Sequence, residues 1–152
     1  MIHMKRLLLL FGLVLYGVSA SSQDLDTSML QGKWKLKSYD AIENIRLSEA
    51  YRTASPQARE GMDRKIDRFI ANTFYHFTST DSVNYTDLSD GSVVQRKATY
   101  RVKEGKLLVI HSEGKKEDKK ATMLELTPDH LVLSPIGKAG ENKGKMVLKR
   151  IE

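Results

Sequence analysis

The histidines and the one inward-facing arginine are where chemistry would first be sought in this chain. His76, His111 and His130 fall on three separate segments, without the clustered spacing of a zinc site or a helical His–Glu motif. Serines and aspartates are plentiful, yet no nucleophile elbow or phosphate-binding loop is present. The chain has no cysteine, which excludes thiol catalysis and cysteine-based metal sites. No catalytic residue, metal or cofactor is therefore expected, and the chain is not expected to be an enzyme. Arg96 is the sharpest single residue. It shares a face with Val94, Ala98, Tyr100 and Val102, and an arginine facing inward must find a partner. A ligand carboxylate would serve, through a bidentate contact. Alternatively the strand starts near a rim, and Arg96 reaches solvent or pairs with Asp87 or Asp90. Trp34, Tyr75, Phe77, Tyr85 and Tyr100 form an aromatic set expected to face inward. They would either line a pocket for an apolar or aromatic ligand or fill the interior outright.

The elements that carry these residues are mostly short strands. In Gly32-Lys-Trp34-Lys-Leu36-Lys-Ser38, the lysines alternate with Trp34, Leu36 and Ser38, as in a strand with one wet and one buried face. This strand is predicted over Gly32–Tyr39. The strand pattern then stops. Ile42, Ile45, Leu47 and Tyr51 are spaced for a short helix, and Ser55-Pro56 is a good start for a second. Ala58, Met62, Ile66, Phe69 and Ile70 make one apolar face of that second helix, which Asn72 closes. The face must bury against something, and Met62, Ile66 and Phe69 are candidates to border a ligand at the nearest apolar opening.

After Asn72 the chain reads as strands over 73–78, 82–86, 93–102, 106–111, 120–126, 130–134 and 145–151. Glu104-Gly105 is read as a tight hairpin, and Asp87 to Gly91 as a turn. Eight antiparallel strands with one apolar side favour closure, which removes exposed sheet edges. The predicted fold is all-β: an eight-stranded antiparallel up-and-down barrel with a helical insert, roughly 41–72, between the first two strands. A β-sandwich is the competing architecture.

The N-terminus reads as an address. Lys5 and Arg6 precede an apolar run over 7–18, and Val18-Ser-Ala20 offers small residues for a signal peptidase. The run is too short to span a bilayer, which takes about 20 residues, and without cysteine it carries no lipidation signal. Residues 1–20 are thus expected to be a cleavable signal peptide, 21–27 a disordered leader, and 28–152 the barrel domain. A soluble periplasmic or secreted product follows, without stable membrane insertion. The formal net charge of +6 falls to +4 once Lys5 and Arg6 are removed. The densest charge run, Lys115 to Lys120, mixes signs and contains no aromatic residue. It reads as a solvated loop, not as a nucleic-acid surface.

Gly32-Lys-Trp34 on the first strand and Leu148-Lys-Arg150 on the last resemble the lipocalins and the wider calycin group, in particular the bacterial lipocalin-like domains of exported proteins. Ala98-Thr-Tyr100-Arg-Val102 and Leu126 to Leu133 resemble those domains too. The resemblance implies a barrel with a small, mostly apolar ligand inside, and an Arg150 that covers Trp34 to close one end. Gly32, Trp34 and Arg150 are then structural signature residues. Tyr75, Phe77, Tyr85, Arg96, Tyr100, Met62, Ile66 and Phe69 are the ligand-binding candidates. The helical insert departs from typical lipocalins; fatty-acid-binding proteins place a helical lid at that position but use ten strands. The competing functional reading is a filled barrel whose surface binds another envelope protein.

Overall fold

The computed structural model describes residues 24–89 and 92–152. The expected signal peptide and most of the expected leader lie outside the described residues. Strands β1 (Gly32–Tyr39), β2 (Phe74–Phe77), β3 (Ser82–Ser89), β4 (Ser92–Lys103), β5 (Leu107–His111), β6 (Lys119–Leu126), β7 (His130–Ile136) and β8 (Met146–Arg150) follow one another. Each pairs antiparallel with the next, and β8 returns to pair with β1, so the sheet closes into an up-and-down barrel. Helices α1 (Asp40–Leu47), α2 (Glu49–Thr53) and α3 (Pro56–Asn72) follow β1 and precede β2 in the chain.

Local chemistry explains these boundaries. Glu104 and Gly105 both adopt positive φ, 53° and 68°, the geometry that a two-residue hairpin between right-twisted strands requires. The Ser55 hydroxyl accepts from the Ala58 amide, and Pro56 occupies the first turn of α3, where a missing N–H costs nothing. Where a single helix was read over Ile42 to Tyr51, the chain makes two. Ser48 leaves the helical conformation, closes α1 and caps α2 through its hydroxyl to the Tyr51 amide. Arg46 of α1 lies against Asp63 and Asp67 of α3, and the Tyr51 hydroxyl donates to the Asp63 carboxylate at 2.8–2.9 Å. The helices are thus tied to one another by polar contacts on their partly exposed faces.

Two register shifts alter the expected alternation. β1 slips against β8 between Leu36 and Ser38. Ser38, grouped above with Trp34 and Leu36, is exposed, and Tyr39 is the residue packed against the core. A second shift lies in β6 between Met123 and Glu125. Ala121 and Met123 face inward before it, and Leu126 after it. Thr27, expected to end an unstructured leader, instead opens a 3-10 turn over Thr27–Leu30. Asp26 caps that turn by accepting from the Ser28 amide, and the turn delivers Leu30 into the core with no exposed surface.

Candidate functional site at the open end of the barrel

The two ends of the barrel differ. At the end where β1 begins and β8 finishes, Trp34 is fully buried and donates its indole N–H to the Leu30 carbonyl at 2.8 Å. The Arg150 guanidinium lies 4.2 Å from the Trp34 ring. It also donates to three backbone carbonyls, those of Met29, Gln31 and Pro128. Gly32 sits at φ 121°, and a β-carbon there would collide with the Arg150 guanidinium and the Glu152 carbonyl. Both the backbone angle and the lack of space therefore demand glycine beside the tryptophan.

Above this floor the aromatic residues stack. Phe77 and Tyr100 meet edge to face at 4.9 Å, and Tyr75 lies parallel to both Phe77 and Tyr85, at 6.4 and 5.9 Å. Buried hydroxyls in this layer are satisfied. Tyr85 shares a hydrogen bond of 2.7 Å with Ser112, and Tyr100 donates to the Ser79 carbonyl at 2.9 Å. Phe77, Tyr85 and Tyr100 are packed in the core, so the floor half of the barrel is filled by side chains.

The other end is open. A cavity of about 940 Å³ lies there, bordered by Tyr39 of β1, Phe69 of α3, Tyr75 of β2, Leu108 and Ile110 of β5, Ala121 of β6, Leu133 of β7 and Met146 of β8. Residues 115–120, in the β5–β6 connection and the start of β6, edge it on one side, with Lys138 and Lys143 on another. α3 reaches this mouth by its C-terminal end. There the Thr86 hydroxyl donates to the Asn72 carbonyl at 2.7 Å and accepts from the Phe74 amide at 3.0 Å. Phe69 and Ile70 pack against the barrel core.

Of the eight ligand-binding candidates named from the sequence, Tyr75 and Phe69 border the cavity. Phe77 and Tyr100 lie in the packed layer instead, further along their strands toward the floor, and Tyr85, level with Tyr75 across the strands, is fully buried against Lys119 with its hydroxyl on Ser112. Met62 and Ile66 are on the far part of α3 and do not border it; Ile66 is buried and Met62 half-buried. Arg96 stands opposite Tyr85 on β4 and is paired inside the protein, its Nε donating to Asp87 at 2.9 Å.

Asp87, expected as one possible partner of Arg96, stands at this mouth, and Lys119 is the mouth residue that the sequence reading missed. Lys119 donates to the other Asp87 oxygen at 2.9 Å, while its ammonium lies 4.9 Å from the Tyr85 ring. Burial alone would raise the Asp87 carboxyl, but hydrogen bonds and charge from Lys119 and then Arg96 outweigh it and hold the group below the usual carboxylate range. Tyr75 keeps some accessible surface because it faces the cavity. Burial among protein atoms nonetheless pushes its hydroxyl well up, helped by Tyr85 and Asp87. A period-two count back from Met123 and Ala121 reaches Lys119 and would have placed it on the inner face.

The histidines do not join this site. His111 lies 2.7 Å from Asp118, but its ring stands exposed on the outer side of its strand. His76 sits in an outer groove with Lys33, Phe74, Asn84, Gln95, Arg96 and Lys97, and His130 is exposed. Among the described residues no three histidine, aspartate or glutamate side chains converge to hold a metal, and no helix is long and apolar enough to cross a membrane.

A family model for the lipocalin-like domain matches residues 30–133, about two thirds of the chain. The chain belongs to this family. No curated protein matches it. The lipocalin-like match takes in Trp34, the helices and every strand from β1 through most of β7. It stops before β8, whose pairing with β1 closes this lipocalin-like barrel and brings Arg150 onto Trp34. The lipocalin-like architecture and the one-ended cavity together are compatible with holding a small hydrophobic molecule.

Proposed function

We propose that the protein is an exported carrier that takes a small, mostly apolar molecule into the open half of its barrel and performs no chemistry on it. The observation that carries this reading is the cavity itself. At about 940 Å³ it falls at the upper end of the range for small-molecule sites, and its inner walls are Leu108, Ile110, Leu133, Met146 and Phe69. Burial of an apolar ligand there supplies affinity at roughly 25 cal/mol per Å². Tyr75 and Tyr39 at the wall supply orientation. α3 forms part of the rim through Phe69, and movement of its C-terminal end would widen the entrance. Export rests on the N-terminal pattern described above. The competing reading, a filled barrel that only presents its outer surface to a protein, fits the floor half of the molecule but leaves the cavity without a role.

The test is native mass spectrometry of residues 21–152 purified after export from a bacterial envelope. An extra mass, lost on denaturation or acquired on exposure to a lipid extract, is the expected result. A bare chain that gains nothing from the extract overturns the carrier.

A further inference from the structure

The cavity is apolar below and cationic above, and this asymmetry bears on the kind of molecule it takes. Building on the carrier reading, we propose that the ligand is an amphiphile with an anionic head, a carboxylate or a phosphate, and that Lys119 receives the head while Asp87 competes with it for that cation.

Three observations support this. First, Asp87 at the mouth accepts from Lys119, which also borders the cavity, and from Arg96, which does not, each at 2.9 Å. An ammonium carries three donors and a guanidinium five. Among the described residues each of these groups donates one hydrogen bond, both to Asp87. Donors are therefore left over beside the cavity on Lys119, whose side chain is half-exposed and borders it. Second, Lys115, Lys116 and Lys120 border the same opening, and among the described residues none of them has an ion-pair partner within 4.0 Å. The acidic residues of that segment are engaged, Glu117 with Lys138, and Asp118 with His111 and Arg101. Third, the wall directly beneath is hydrocarbon: Ile110 is the residue paired with Lys119 across the strands, and Leu108 is paired with Ala121 one step deeper. A tail on Leu108 and Ile110 thus places its head at the level of Lys119. A neutral head would gain no charge-assisted hydrogen bond, and a cationic head would meet like charge. An anion matches the surplus donors and is also drawn toward the opening by the lysine rim.

The experiment is displacement of the uncharged fluorophore N-phenyl-1-naphthylamine by three molecules with one tail: oleate, oleoyl lysophosphatidate and oleyl alcohol, all below their micellar concentrations. At least one anion is expected to bind about tenfold or more tightly than the alcohol, the gain of one charge-assisted hydrogen bond, and the advantage should shrink as salt is raised. Preference for oleate assigns a carboxylate head, and preference for the lysophosphatidate a phosphate. Lys119→Met should weaken the preferred anion about tenfold and leave the alcohol unchanged. Asp87→Asn, which releases Lys119, should tighten the anion. The two variants act in opposite directions, which loss of folding cannot mimic, and Lys149→Met, on the outside near the floor, should change neither ligand. Equal affinity of alcohol and anions overturns the head-group proposal and leaves the carrier standing. Failure of all three molecules to displace the fluorophore overturns the carrier reading, and this inference with it.

Discussion

The floor and the mouth of this barrel are built from the same eight strands, yet they solve opposite problems. At the floor, every strand contributes a side chain that meets another side chain, and the polar atoms are consumed internally. Trp34 donates to Leu30, and Arg150 is engaged by one ring and three carbonyls. At the mouth, the inner positions hold residues of similar size, but α3 borders the opening and does not fill it, and donors on Lys119 remain. Stability is therefore concentrated at one end and binding capacity at the other. A barrel packed equally well at both ends would have nowhere to put a ligand.

Substitutions at the two ends test that division. The largest effect is expected for Trp34→Ala, which removes the centre of the floor and should cost about 3–5 kcal/mol in urea unfolding. Arg150→Met keeps much of the side-chain volume but strands three carbonyls and removes the cation from the Trp34 ring. A loss of about 2–3 kcal/mol is expected, with little change in ligand uptake at the far end. A matched pair then compares packing directly. Ala98→Leu, in the filled core, should cost about 1–3 kcal/mol through overpacking. Ala121→Leu points the same added carbons at the cavity, so it should cost less than about 1 kcal/mol and instead reduce ligand binding. Equal costs at the two alanines would mean that the mouth is as tightly packed as the floor. The smallest effect concerns pH. The Asp87 carboxyl is depressed in the folded protein, so its contribution is present above the unfolded value of about 3.9 and is lost as pH falls below that toward the folded value. Wild type should exceed Asp87→Asn by about 1 kcal/mol at pH 6, and the gap should close toward pH 3; a gap that widened on acidification would contradict the assignment.

Much of the floor was legible in the sequence. Gly32, Trp34 and Arg150 are conspicuous residue types at the start of the first strand and the end of the last, and their roles need only the barrel to close. The strand count and the start of α3 at Ser55-Pro56 were legible for the same local reasons: alternation, turn residues and a capping hydroxyl. The mouth was harder to read, for two physical reasons. A register shift in β1 breaks the period-two rule, so Tyr39 turns inward at a position where simple alternation points it out. In addition, β3 and β6 extend beyond where their apolar pattern ends. Asp87 reads as part of a turn, and Lys119 as part of a charged loop, when Asp87 lies within β3 and Lys119 opens β6. Which aromatic residues line a void and which fill the barrel depends on depth along the axis, and alternation carries no information about depth.

The hydrogen bonds from Arg150 to Gln31 and Met29 join residues 119 and 121 apart in sequence, and this bears on the order of folding. Hairpins such as β4–β5, closed by Glu104-Gly105, need only a few residues to meet. The floor needs both ends of the chain. Until β8 arrives, β1 has an unpaired edge and Trp34 lacks its cover, so the step that seals the barrel is dominated by non-local contacts and is slow for that reason. An intermediate with seven strands in place would expose two open edges and the indole together, the surface on which one molecule recruits another. Substitutions at Arg150 should therefore act on the yield of refolding as well as on equilibrium stability, and the yield should fall as protein concentration rises.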